Sequence, residues 1–390
     1  MTRIKILAAF LISLFVVLLG ACSSPPQISR TQTQALFNDA LFLPPTDHVN
    51  VEEVFFVSKE MRQFIAFDIA EQLRIKGLKQ GLFDALYGEA KLKIEYDTSI
   101  TKNAAQAFAT RSGNCMSLVL MTAAFAKEIG LEVQYQNVKL KPSWSRNGPL
   151  LFNAGHINVI LLERHTPKTF FSGIRQQMTV DFLPPETMRH LATETISEKT
   201  AIAMYMNNRA AESLAQAKLD NAYWWARSAI MQDPFLVSAY NTLGAVYRSN
   251  GNLQEAQNAF MFALEQDPKD SSVMLNLSYT LRALGRIDEA ELLAEKVTKV
   301  RPHQAYYFFG LGQQAMKEKN YSAAKNFFNQ ELDSAPENPE FHFWLANALL
   351  QLNELKSAER SILLAIRYST SPKDTDGYVK KLNQIKAEKF

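Results

Sequence analysis

Three residues of the types that together carry out acyl transfer stand at the edges of sequence elements. Cys115 opens an apolar stretch in Ser112-Gly113-Asn114-Cys115-Met116-Ser117-Leu118. His156 follows Gly155 and leads into the apolar run 157–161. Asp181 lies in Thr179-Val180-Asp181-Phe182, where the pattern predicts an acid in the middle of an apolar strand. A free thiol has a pKa near 8.5, so little of it is thiolate at neutral pH. A helix N-terminus with its unpaired N–H groups favours the anion, and a protonated histidine beside it favours it further. A carboxylate behind the imidazole would fix its tautomer and stabilise its charged form. The Cys115 backbone N–H is the natural first oxyanion donor, with Tyr96, Asn114 and Gln136 as alternatives for a second. Taken singly, each residue has a structural explanation: a small buried thiol, a satisfied core histidine, a turn acid. Their order and placement together favour a catalytic set.

The elements needed to position them are legible. Residues 58–76 carry Met61, Phe64, Ile65, Ile69 and Leu73 at helical spacing. Residues 92–96 read as a short extended segment and 103–110 as a short helix. After the turn 111–114, residues 115–127 form a helix apolar on most sides, hence buried, and Gly130 ends it. Residues 131–140, 157–162 and 178–182 read as strands.

This order resembles the transglutaminase-like branch of the papain superfamily. The residues that carry the likeness are Arg111, Gly113 and Cys115, the helix ending at Gly130, the string Gly155-His156-Ile157-Asn158-Val159, and Val180-Asp181. It spans roughly 97–182 and is strongest to bacterial lipoproteins that join such a domain to helical repeats. The resemblance implies an α+β fold, a central helix packed on an antiparallel sheet, with Cys115, His156 and Asp181 as catalytic residues. Ile157 and Asn158 stand where many enzymes of that family place an aromatic residue.

The second half repeats. Alanines fall at 222, 256, 290, 324 and 358, and prolines at 234, 268, 302 and 336, all 34 residues apart. With Gly244 and Gly312 at one phase, this period resembles the tetratricopeptide repeat. Five units start near 203, 237, 271, 305 and 339. The small residue of each first helix is expected to face alanine in the second, and the proline ends that second helix. Each pair leaves an apolar face for the next to cover, giving an all-α solenoid. Its peptide-binding inner face is expected to carry Asn207, Asn241, Arg248, Tyr279, Arg282, Tyr306, Phe309, Gln313, Phe343 and Asn347, with core packing as the rival role for Tyr306, Phe309 and Phe343.

At the N-terminus, Arg3 and Lys5 precede the apolar run 6–19, then Leu19-Gly20-Ala21-Cys22 and Ser23-Ser24-Pro25-Pro26. The run is short for a membrane span and right for a signal core. It looks like a lipoprotein signal with Cys22 as the lipidated residue, and Ser23 after it points to the outer membrane, facing the periplasm. With Cys22 acylated, Cys115 has no partner for a disulfide within the chain, because the sequence has two cysteines. Both halves must then stand on their hydrophobic cores; apolar residues are 47% of the chain, enough for that. The net charge of +3, with no long run of one sign, argues against nucleic acid as a partner. The six histidines show no metal-ligand spacing, and no cofactor fingerprint is present, so neither metal nor cofactor is expected.

The expected organisation is a signal peptide (1–21), a linker (22–30), a transglutaminase-like domain (31–190), five tetratricopeptide repeats (191–370) and a capping helix (371–390). The expected function is thiol acyl transfer on envelope proteins or peptides, either as a protease or amidase or as a transamidase, with the repeats recognising the protein. The alternative is a non-catalytic, lipid-tethered scaffold.

Overall fold

The computed structural model describes residues 30–88, 92, 94–97, 100–139, 144–147, 150–153, 156–163, 177–182, 191–300, 307–369 and 372–387. Cys22 and Tyr306 lie outside them. An N-terminal stretch holds the short helix α1 (Arg30–Gln34). From Asp39 onward the chain forms one compact unit.

Its first half is built around α6 (Cys115–Glu128), in which every residue from Met116 to Ala126 is buried. A helix with no polar face is stable only inside a core, and the sheet provides one wall. Strands β3 (Glu132–Lys139), β6 (His156–Leu162), β7 (Gln177–Val180) and β8 (Ala192–Ile196) form an antiparallel sheet in the order β7-β6-β3-β8. β6 is buried at every position, as a central strand covered on both faces must be. Gly130 adopts φ 87° and turns the chain from α6 into β3. β8 lies past the boundary expected at 190; its pairing with β3 carries the sheet into the segment assigned to the repeats.

The predicted helix over 58–76 is interrupted. It runs as α2 (Lys59–Gln63), a π-helical turn at Phe64–Asp68 and α3 (Ala70–Lys76). The extra residue in the π turn rotates the apolar stripe, burying Met61, Ile69 and Leu73 and leaving Phe67 83% exposed. α4 (Leu78–Tyr87) follows, burying Leu82, Ala85 and Leu86. β1 (Glu95–Tyr96) pairs in parallel with β2 (Ser112–Gly113) on either side of α5 (Ala104–Thr110), which Asn103 and Gln106 close with a capping box. β4 (Trp144–Asn147) and β5 (Leu150–Asn153) form a hairpin.

Five helix pairs follow: α7 (Glu198–Ala215) with α8 (Leu219–Gln232), α9 (Val237–Ser249) with α10 (Leu253–Gln266), α11 (Ser271–Ala283) with α12 (Ile287–Val300), α13 (Tyr307–Lys317) with α14 (Tyr321–Ser334), and α15 (Pro339–Gln351) with α16 (Leu355–Tyr368). α7 begins five residues before the expected start at 203. α17 (Pro372–Ala387) covers the last pair, burying Leu382 and Ile385. The small residue of the first helix meets an aromatic ring rather than alanine. A Cβ at Gly244 would lie 2.7 Å from Phe260 Cε1, and one at Gly312 2.4 Å from Phe328 Cε1. Phe260 and Phe328 follow the repeated alanine by one helical turn, so the ring covers the glycine while the alanine packs beside it.

Candidate functional site

The site assembles at the N-terminal end of α6. Asn114 is the N-cap: its Oδ1 accepts from Ser117 N–H at 2.9 Å and from Ser117 Oγ at 2.9 Å. That cap fixes the first turn and leaves the thiol of Cys115 half-buried at its opening. Gly113 is required where β2 crosses this turn, since a Cβ there would stand 2.6 Å from Ser117 Cβ.

β6 begins at His156, and Asp181 follows β7 directly rather than sitting within it as expected. β7 ends at Val180 opposite Val159, which frees the next residue to turn its carboxylate along the edge of β6. His156 Nε2 is 2.8 Å from Asp181 Oδ1, with the ring 3% and the carboxylate 12% exposed. Asn158 Nδ2 donates to Asp181 Oδ2 at 2.9 Å. The acid is therefore held at both oxygens, by two residues that the strand's two-residue period places on one face. Asn158 escapes the sequence reading as a site residue; the signal is its position two residues after the histidine.

With Nε2 committed to Asp181, Nδ1 is the nitrogen left for sulfur, and the Cys115 thiol stands close enough to the ring to act on its titration. Burial opposes protonation of His156, but the bond to Asp181 and the adjacent sulfur outweigh it and push the ring's pKa up to about 9. At neutral pH the imidazole is therefore cationic. Of the three alternatives for a second oxyanion donor, the structure brings Tyr96 to the thiol. Its phenol interacts with Cys115, and desolvation holds it well above its ordinary range. Asn114 is occupied as the cap, and Gln136 faces Asn158 across β3 and β6. The arrangement gathers a thiol, an imidazole, a carboxylate and hydrogen-bond donors at one opening.

The face made by the first helices of the repeats divides. Asn276 Nδ2 on α11 donates to Asn241 Oδ1 on α9 at 3.0 Å, and Arg248 lies over the Tyr279 ring at 5.7 Å. These pairs join neighbouring repeats. Burial lowers the proton affinity of the Arg248 guanidinium, and its Nη1 has no hydrogen-bond partner. Asn207 Oδ1 is buried without a partner as well. Arg282 stands apart from this cluster, more than half exposed and 3.9 Å from Glu291. Gln313 is half-buried. Phe309 is not a groove residue: it is fully buried among Phe328, Phe341 and Trp344. Phe343 packs on Trp344 and on Tyr378 of α17, and Asn347 donates to the Phe343 carbonyl. An aromatic that the next helix pair covers is core, whatever its repeat phase.

Among the described residues no helix is long and apolar enough to cross a membrane. Residues 247–308 and 315–368 match the family model for the tetratricopeptide repeat. No curated protein matches the sequence. Among solved structures, similar chains include one from the APC/C hetero-tetramer Cut9–Hcn1 (16% identity, TM-score 0.33, 48% of this chain and 37% of that one). They also include Pseudomonas aeruginosa pilF (20% identity, TM-score 0.29, 48% and 94%), and a thermophilic TPR protein of Thermus thermophilus (17% identity, TM-score 0.33, 46% and 98%). This chain thus spans little more than a third of the Cut9–Hcn1 chain. The C-terminal region of the protein is built of tetratricopeptide repeats, an architecture of protein–protein interaction.

Proposed function

We propose that the protein is a scaffold that recruits protein or peptide partners through its repeats, tethered by a lipid on Cys22 to the periplasmic face of the bacterial outer membrane. The supporting observation is the cluster around Arg248. A largely buried guanidinium with an unpaired nitrogen, stacked on half-exposed Tyr279 beside the Asn241–Asn276 pair, suits a carbonyl or carboxylate of an extended segment. The test is a photo-crosslinking amino acid at position 279, compared with position 363, an exposed leucine on α16. Adducts with envelope proteins should form from 279 and fall about fivefold in an Arg248→Ala background. Equal yields from 279 and 363 would sink the reading.

A second reading rests on the Cys115, His156, Asp181 and Asn158 cluster: thiol acyl transfer on the recruited partner, of the kind its resemblance to transglutaminase-like domains implies. The Cys115 thiolate attacks an amide carbonyl, and the developing oxyanion takes hydrogen bonds from the Cys115 N–H and Tyr96 O–H. His156 gives its proton to the leaving amine, leaving a thioester. Water or a second amine then attacks that thioester, passing a proton back to His156, and the thiolate is released. Asp181 holds the ring, and Asn158 holds Asp181. The discriminating measurement is iodoacetamide labelling of Cys115 at mildly acidic pH. Labelling faster than glutathione and lost in His156→Ala supports transfer; a rate equal to glutathione leaves the scaffold alone.

A further inference from the structure

The first repeat reaches the loop that supports the thiol helix. α7 runs antiparallel to α6, with both ends tied. At its start, Glu198 accepts from Lys127 Nζ and from the Tyr135 hydroxyl near the C-terminal end of α6. Fourteen residues on, about 21 Å along the helix, Glu212 meets the loop that supports the N-terminal end of α6. Glu212 Oε1 accepts from Thr101 N–H at 2.7 Å and from Thr101 Oγ at 2.5 Å.

We propose that Glu212 is a positioning residue for Cys115, acting through Thr101 and Asn114; this rests on the acyl-transfer reading. The case is one of proton direction. Burial raises the pKa of Glu212, but its Oε1 already accepts the Thr101 N–H and so accepts the single hydroxyl proton of Thr101 as well. Thr101 Oγ must then act toward Asn114 as an acceptor, and it takes Asn114 Nδ2 at 2.8 Å. That fixes which way the Asn114 amide faces: nitrogen to Thr101, oxygen to Ser117 N–H and Oγ. The Ser117 hydroxyl, having donated to Asn114, accepts from Lys102 N–H at 2.8 Å. Each donor in the chain is oriented by the one before, and the carboxylate sets the sense of the whole. Without it, the Thr101 proton is free to point at Asn114, the amide can flip, and the cap on the residue next to Cys115 is lost. The cap sets where the Cys115 N–H and sulfur stand relative to His156.

The acid is itself held in place. Arg209 Nη1 lies 3.7 Å from Glu212 Oε2 and donates to the Thr101 carbonyl at 3.2 Å. Arg209 Nη2 donates to Asp47 Oδ2 at 3.1 Å, and Asp47 also accepts from Trp225 Nε1 and Asn221 Nδ2 on α8. α7 therefore braces the loop beneath the thiol helix directly, and α8 does so through Asp47 and Arg209.

The test uses the full chain with Glu212→Ala, Glu212→Gln and Thr101→Val. Two readouts are taken: amide hydrogen exchange over 113–119, and the rate of Cys115 alkylation by iodoacetamide. Exchange over 239–247 in the second repeat is the control for folding. In Glu212→Ala the first-turn amides should exchange about tenfold faster and alkylation should slow about fivefold. Glu212→Gln keeps an acceptor for both Thr101 donors and should restore both readouts. Thr101→Val keeps the side-chain volume and removes only the hydroxyl link; it should match Glu212→Ala, and decides the matter if Glu212→Ala does not fold. Unchanged exchange over 113–119 in Thr101→Val or folded Glu212→Ala, or a glutamine variant as impaired as the alanine one, overturns the proposal. A parent thiol no more reactive than glutathione and indifferent to His156→Ala removes the acyl-transfer reading instead, and the exchange data still decide the positioning.

Discussion

The thiol region and the repeat array solve opposite packing problems. In the array, a residue's neighbours are set by phase within 34 positions: Gly244 lies under Phe260, and Gly312 repeats the contact under Phe328. Most interactions are short in sequence and apolar, and each pair of helices depends on the next. In the thiol region the contacts that matter span 3 residues (Asn114 to Ser117) to 111 residues (Thr101 to Glu212), and they are polar and partly buried. A periodic apolar core tolerates a defect locally; a directed polar network loses its function when one member is removed.

That contrast can be broken at either end. The largest effect is expected at Asp181. Removing it leaves His156 and Asn158 without their shared acceptor, so Asp181→Ala should slow Cys115 labelling at neutral pH about thirtyfold. The thermal midpoint of the repeats should stay unchanged by circular dichroism. Labelling unaffected by this change would mean that the thiol region is no network at all. Next comes Gly312→Ala, which forces a Cβ to within 2.4 Å of Phe328. It should cost about 1–3 kcal/mol in urea unfolding while leaving labelling of the folded protein as in the parent. Loss of labelling there would show that the two regions are one cooperative unit.

A third test concerns pH. The pKa of His156 rises from 6.5 to about 9 on folding, so over that window the folded chain keeps a proton that the unfolded chain releases. Its contribution to stability is complete below pH 6.5 and is lost as pH rises through 9. The urea midpoint should fall across this range in the parent and flatten in His156→Gln. An identical slope in both would assign the titration to another group.

Legibility follows the same divide. The five repeat units and the capping helix are readable because a 34-residue period is a one-dimensional signal. The thiol helix is readable because its apolar composition, Asn114 before it and Gly130 after it are local features. Phe309 misleads, since repeat phase places it on the first helix but does not say on which side the next pair closes. The strand pattern sets Asp181 one residue too deep, because an apolar flank does not reveal where pairing stops.

By itself the sequence determined the central helix, three strands and the repeat period, and supplied a thiol, an imidazole and a carboxylate at element edges, because these depend on residue type and near spacing. Only the tertiary structure decided that Asn158 shares the acid with His156, that Tyr96 rather than Gln136 stands by the sulfur, and that Glu212 braces the cap of the thiol helix. Those outcomes are set by strand register and helix packing across long stretches of chain. A hydrogen bond is won or lost there within a fraction of an ångström, a distance to which no spacing in sequence is sensitive.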